Sequence, residues 1–143
     1  MEELKKDIVG FNVRVYGVCV QNGKMLTLRE KYGNWDMVKL PGGGVEFGEG
    51  LVACLKRECK EELNIEIEVG DVLYAQENYV PSLMKDQKQI VIIYYWMNIV
   101  NPNSMKINDD HIQSINWLPI NHECPFSLPV DKMMFDKLLK ILK

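Results

Sequence analysis

The stretch that most constrains the fold is Lys88 to Val100, KQIVIIYYWMNIV, which is apolar at nearly every position. A strand with one face in water alternates apolar and polar residues. One that does not alternate is covered on both faces. The run predicts a strand inside a sheet that carries helices on each side. It falls short of the ~18 apolar residues of a membrane span, and no other stretch comes closer.

The remaining elements fit that frame. Phe11 to Gln21 (FNVRVYGVCVQ) is β-branched and roughly alternating, and Asn22-Gly23 supplies a hairpin turn into a second strand, Lys24 to Arg29. A short strand around Asp36 to Leu40 leads to Pro41 and the glycines Gly42, Gly43 and Gly44. Ile65 to Tyr79 reads as one long or broken strand, and Ser114 to Leu118 as a short one. Val130, Met134, Leu138 and Ile141, with Phe135 and Leu142, recur at helical spacing after Pro129, which suits a helix start. The expectation is one α/β domain over residues 1–143, with a mixed sheet between helices.

Composition excludes several function classes. The formal net charge of −3 argues against a dedicated nucleic-acid binder, and an anionic substrate would need local positive charge from a metal or a few arginines. The N-terminus MEELKKDIVG has acids among its lysines and no long apolar core, so it does not resemble a signal peptide. Cys19, Cys54, Cys59 and Cys124 form no C-x-x-C pair, and His111 and His122 lack zinc-finger spacing. Reduced, mostly buried thiols in a cytoplasmic protein are expected, and a homodimer stays open.

The glycines raise the question of phosphate, but no Gly-Lys-Ser/Thr comes after them, so this is not a P-loop. The next element is instead Gly50 to Leu63, GLVACLKRECKEEL, with good helix formers and no proline. Gly50 is an acceptable N-cap. Asn64 suits the left-handed residue that ends a helix. On a wheel of ~100° per residue, Leu51, Leu55, Cys59 and Leu63 share the apolar side, and Lys56 and Lys60 face away. Glu58, Glu61 and Glu62 form a stripe, with Glu62 within roughly 20° of Leu51 and Leu55, pointing inward. An ordinary lysine/glutamate surface would not aim a carboxylate at the body of the protein. Clustered carboxylates facing a pocket want a hard cation such as Mg²⁺ or Mn²⁺.

Gly43, Glu49, Arg57, Glu58, Cys59, Glu61, Glu62 and Ile65 fit the pattern G-x5-E-x7-R-E-U-x-E-E-x-G-U, where U is aliphatic. In this the chain resembles the Nudix hydrolase family. Trp35 ahead of Leu40-Pro41-Gly42-Gly43, and Trp117-Leu118-Pro119, look like it too. Two positions depart: Asn64 stands for the last glycine, and Cys59 for an aliphatic residue. The resemblance implies a Nudix-type α/β/α sandwich and hydrolysis of a small nucleotide, a nucleoside diphosphate linked to a moiety X, either ADP-ribose-like or a nucleoside triphosphate. It implies Mg²⁺ or Mn²⁺ on Glu58 and Glu62, with Glu61 as a further ligand or water-mediated contact. In some members the residue at the Glu58 position is instead the base. It implies that Arg57 pairs with Glu49, that a carbonyl near Gly42 or Gly43 joins the metal, and that Asp109 or Asp110 assists from a later loop. The bland reading of that acid pair is a solvated turn.

Substrate clues are thin. Pro81 lies where the ADP-ribose-cleaving branch tends to carry a proline. Trp35, Tyr79 and Trp96 could stack a base, and Arg14 and Arg29 could meet phosphate, although each also has a plain core or surface reading. The alternative to an enzyme is a silent Nudix-type sensor, which would usually have lost box acids that this chain keeps. A Nudix-fold isomerase of prenyl diphosphates would need further catalytic residues.

Overall fold

The computed structural model describes residues 7–81 and 87–142. Most of the N-terminal segment MEELKKDIVG lies outside them. The described chain runs β1 (Gly10–Val18), β2 (Val20–Gln21), β3 (Lys24–Tyr32), β4 (Trp35–Lys39), β5 (Gly42–Gly44), α1 (Leu51–Leu63), β6 (Ile67–Ala75) and β7 (Lys88–Ile99). A single 3-10 turn (Pro102–Ser104), β8 (Ile112–Pro119) and α2 (Pro129–Ile141) complete it.

The strands form two sheets. The first has the order β5-β1-β7-β6 and is mixed, because β1 and β7 run parallel from Gly10↔Lys88 to Val18↔Trp96 while the other pairs are antiparallel. In the second, β3 pairs with β2, β4 and β8, all antiparallel. The long apolar run is β7, and its side chains alternate between two cores. Ile93, Tyr95, Met97 and Ile99 pack with Cys54, Leu55, Cys59 and Leu63 of α1. Ile90, Ile92, Tyr94 and Trp96 pack with Val130, Met134, Phe135 and Leu138 of α2. This is the α/β fold expected, with one helix serving each core.

Element ends differ from the sequence reading in ways that backbone pairing explains. The first strand breaks at Cys19 into β1 and β2. β3 continues to Tyr32, because its last residues pair with β4 and β8. Only Ile67–Ala75 of the Ile65–Tyr79 stretch is strand, and register shifts interrupt its pairing with β7. Asn22 and Gly23 both have positive φ (53° and 75°), as the tight hairpin turn requires.

α1 starts at Gly50, which is extended and gives no side-chain cap, and stops at Asn64 in the left-handed region (φ 55°, ψ 38°). The Asn64 N–H donates to Lys60 O at 3.0 Å. Its side-chain Nδ2 donates to Ser104 O at 3.2 Å, tying the helix end to the 3-10 turn. Asparagine thus fills the terminator role usually given to glycine.

Candidate active site

β5 lies antiparallel beside β1, with Val15 opposite Gly43 and Tyr16 opposite Gly42. That pairing carries the glycine turn underneath α1. Gly42 has φ +145°, a conformation that side chains rarely adopt, and a Cβ there would run into the Val15 carbonyl and Tyr16. A Cβ on Gly43 would stand 2.5 Å from the Glu58 carboxyl carbon. Both glycines therefore serve close approach of backbone to the carboxylates of α1. The Gly42 N–H donates to Glu62 Oε1 at 3.0 Å.

Arg57 organises the outer carboxylates. Its Nε and Nη2 grip Glu49 at 2.6 and 2.9 Å, a two-pronged pair that docks α1 on the loop before it. Nη1 reaches Glu58 Oε1 at 3.0 Å and Glu61 Oε2 at 3.1 Å, and Nη2 also donates to Gly44 O at 3.1 Å. The bond from Arg57 lowers the Glu49 carboxyl to about 2. Burial pushes Glu58 up, and Arg57 opposes that shift.

Glu62 points inward, as the wheel requires, and is 5% exposed. A side-chain cation that the sequence reading did not anticipate reaches it from β4. The lysines of α1 do face away, but Lys39 at the end of β4 places Nζ 3.2 Å from Glu62 Oε2 and 2.9 Å from Glu30 Oε1. Glu30 is as deeply buried, at 2% exposed. Burial alone would lower Lys39; Glu62 and Glu30 more than offset it, so Lys39 stays a cation. Burial raises Glu62 to about 7, against Lys39 and the Gly42 N–H, which favour its charged form. The inward carboxylate therefore does not by itself demand a metal. Among the described residues no three acids, histidines or cysteines converge tightly enough to hold an ion.

The other candidates separate. Asp109 accepts from the His111 N–H at 2.8 Å within its own turn, and its carboxylate also lies 3.3 Å from the His111 ring. Asp110 sits in the same turn. Arg29 pairs with Asp36 on the surface at 3.3 Å, whereas Arg14 stays near the glycine turn and donates to the Tyr16 hydroxyl at 2.7 Å. Trp96 packs into the core beneath α2. Cys54 and Cys59 are buried and Cys124 is exposed; burial raises the Cys54 thiol to about 12, so it is not a nucleophile at neutral pH.

A cavity of about 350 Å³ opens at Lys39 and Leu40, just ahead of the glycine turn. Four strands line it at every second residue: Asn12, Arg14 and Tyr16 from β1, Glu30 and Tyr32 from β3, Trp35, Met37 and Lys39 from β4, and Ile90 and Ile92 from β7. Pro81 and Asp131 complete other walls. Glu30, Lys39 and Asp131 do not stand out in the sequence. Their only signal is the period-two register of β3 and β4, and an acid beside Val130 in the first turn of α2.

The same chain has recognisable relatives. The family model described as the NUDIX domain matches residues 10–135. An RNA pyrophosphohydrolase from Ruthia magnifica subsp. Calyptogena magnifica is 27% identical over 154 aligned residues, covering 95% of this chain and 86% of that protein. A solved MutT protein from Methanosarcina mazei Go1 superposes with a TM-score of 0.75 at 21% identity, covering 94% of this chain and 96% of its own. An ADP-ribose pyrophosphatase from Streptococcus suis gives 0.66 at 14%, covering 92% of each chain. At such identities the structural likenesses establish the fold.

Proposed function

The chain belongs to the Nudix hydrolase family, and from that premise we propose that it is a divalent-metal-dependent pyrophosphohydrolase cleaving a nucleoside diphosphate linked to a further group. The observation that carries the reading is the docking of the Gly42–Gly44 turn under α1, with Gly43 against Glu58 and Gly42 on Glu62; Lys39, which also pairs with Glu62, lines the neighbouring cavity. Two similar proteins bear pyrophosphate-cleaving names.

The donors present suit a hard cation. They are carboxylate oxygens, and the space left by the missing Cβ of Gly43 brings the Glu58 carboxyl against backbone. Mg²⁺ usually takes one or two carboxylates together with substrate phosphates and water, so a closed cage of three acids is not required. Glu58 and Glu62 would hold the ion, with Glu61 and the Gly43 carbonyl beside them. When bound, such an ion polarises phosphoryl oxygens and makes water a better nucleophile.

The chain's own groups do the rest. Arg57 fixes Glu49 and orients Glu58 and Glu61. In the alternative in which Glu58 is not on the ion, its proton affinity, raised by burial, suits it to accept a proton from the attacking water. Asp109 or Asp110 would add a further acid from a turn whose preceding residue, Asn108, donates its N–H to the Glu62 carbonyl at 2.9 Å. Water adds to phosphorus, the bridging oxygen leaves with its electron pair, and a nucleoside monophosphate and the phosphorylated second group result, the latter being pyrophosphate when the substrate is a triphosphate. In heavy-oxygen water the label should appear on a phosphate product. The test is Mg²⁺ plus a panel of nucleoside triphosphates and nucleoside diphosphate sugars, assayed for released monoester. Label on a ribose hydroxyl, or full turnover in excess chelator, overturns the reading.

A further inference from the structure

The three most exposed large apolar side chains among the described residues gather at one corner. Phe47 is fully exposed, Val9 is 74% exposed and Phe11 66%. Two of them are rings, and neither stacks on another ring among the described residues. Strand pairing brings them together. β5 runs antiparallel on β1 from Tyr16↔Gly42 to Arg14↔Gly44, and the next bond is Val45 N–H to Val13 O at 2.8 Å. Phe47 follows Val45 by two residues and Phe11 precedes Val13 by two, so the same register carries Phe47 toward Phe11. Phe47 stands at the tip of a β-turn, closed by the Glu49 N–H on Glu46 O at 3.1 Å with Gly48 at φ 81°. The turn is fixed from both sides. The Glu46 N–H donates to Glu49 Oε1 at 3.2 Å, and Arg57 grips the same carboxylate. A ring held in water on such a turn is a surface already ordered for a planar ligand.

The corner adjoins the carboxylates of α1. Glu49 belongs to the turn, and Arg57 joins it to Glu58. Phe11 shares a face of β1 with Val15, which packs with α1, whereas Asn12, Arg14 and Tyr16 take the opposite face and line the cavity. β5, three glycines without side chains, is the edge strand between those two faces. A diphosphate held at this edge by the box acids therefore has one end toward the cavity and the other toward the rings. We propose that Phe11 and Phe47 hold a nucleobase at the far end of the diphosphate, so that the further group carried by the substrate is a second nucleoside. The inference rests on the pyrophosphohydrolase reading given above and names the group which that reading leaves open. Every base has a flat apolar face, and stacking needs no hydrogen-bonding partner. The neighbouring charge favours a ring over the other groups a nucleotide can carry. The Glu46 side chain, next to Phe47, is 71% exposed, and its charge disfavours a further phosphate. A bare sugar would offer the rings little apolar area.

Diadenosine diphosphate and ADP-ribose differ only by the adenine on the second ribose, so the ratio of their affinities reads this corner. The test measures equilibrium binding of both to the whole chain in buffer with excess chelator, which keeps turnover out of the measurement. Diadenosine diphosphate should bind at least ~10-fold tighter, the usual worth of one stacked base. Phe47→Ala should bring the ratio close to one, and Phe11→Ala should cut it by ~3-fold or more. Both side chains stand in water, so both variants should fold, and melting curves check that they do. Val72→Ala removes an exposed apolar side chain from β6, at the opposite edge of the same sheet, and should keep the ratio. Equal affinities of the wild-type protein for the two compounds, or binding of neither, would refute the assignment. So would an unchanged ratio in Phe47→Ala, or a ratio lost equally in Val72→Ala. Tighter binding of diadenosine diphosphate without hydrolysis of any nucleotide would leave this assignment standing and defeat the proposed activity. Hydrolysis with equal affinities would do the reverse.

Discussion

The Glu58 carboxyl rests against Gly43, in space that a Cβ on residue 43 would enter at 2.5 Å from the carboxyl carbon. The atoms in conflict are the far end of a flexible side chain, so Gly43→Ala should fold. It gains the usual benefit of replacing glycine where φ is ordinary, and the net change in stability should stay within ~1 kcal/mol. The Glu58 carboxylate must nevertheless move, and a misplacement of that size at a reacting centre costs on the order of 10²-fold in kcat. Melting curves and Mg²⁺-dependent rates measured on one preparation check this. A fully active variant would remove Glu58 from the chemistry.

Lys39 is shared by two buried carboxylates, Glu30 and Glu62. Lys39→Met takes away the common cation and leaves both acids paired only with weaker donors. Removing one partner of a buried pair typically costs ~3–5 kcal/mol, and a loss in that range is expected in urea melts. If Glu62 is also a metal ligand, Mg²⁺ should stabilise Lys39→Met more than it stabilises the wild type, since the ion would then supply the missing charge. Equal Mg²⁺ effects on the two proteins would separate Glu62 from metal binding.

The sequence made α1 and its turn legible because both are local. The inward angle of Glu62 follows from the helical repeat alone, and Asn64 as the terminator follows from residue chemistry. The partner of Glu62 was not legible, since Lys39 comes from β4 and reaches it only once β5 has folded the chain under the helix. The same holds for Asp131, which meets Tyr94 across 37 positions. The lysine beside Glu62 escaped the sequence for the same reason: the wheel shows where a carboxylate points, and only packing shows which side-chain cation meets it. The apolar run of β7 succeeded because burial on two faces leaves its mark residue by residue.

Asn64 sits at φ 55° with its side chain on Ser104 O. Asn64→Gly keeps the left-handed turn and loses that one bond, so it should melt close to wild type. Asn64→Val must carry a branched Cβ into a region where even ordinary side chains cost ~1–2 kcal/mol, and it also loses the bond. A valine variant as stable as the glycine variant would mean that the helix end relaxes into another conformation.

The Glu49–Arg57 pair sets the acid behaviour of the helix dock. The bond from Arg57 holds the folded Glu49 carboxyl at about 2, below its ordinary 4.5. As pH falls from 4.5 towards 2, unfolded chains take up this proton before folded ones do. The unfolded state then binds more protons, so stability falls with pH across that window. The contribution is complete above 4.5 and gone below about 2. Glu49→Gln lacks the titration, so it should be less stable than wild type at pH 7, with the gap closing as pH drops through the window. Glu62 and Asp131, held by burial at about 7 and about 6, run the other way: their folded forms bind protons more tightly, so their contributions grow as pH falls. Both proteins share those groups, and the difference between the two stability profiles removes them. Urea melts of the pair from pH 7 to pH 2.5 give that difference directly. A gap that stays constant over the whole range would show that Arg57 does not hold Glu49 in its charged form.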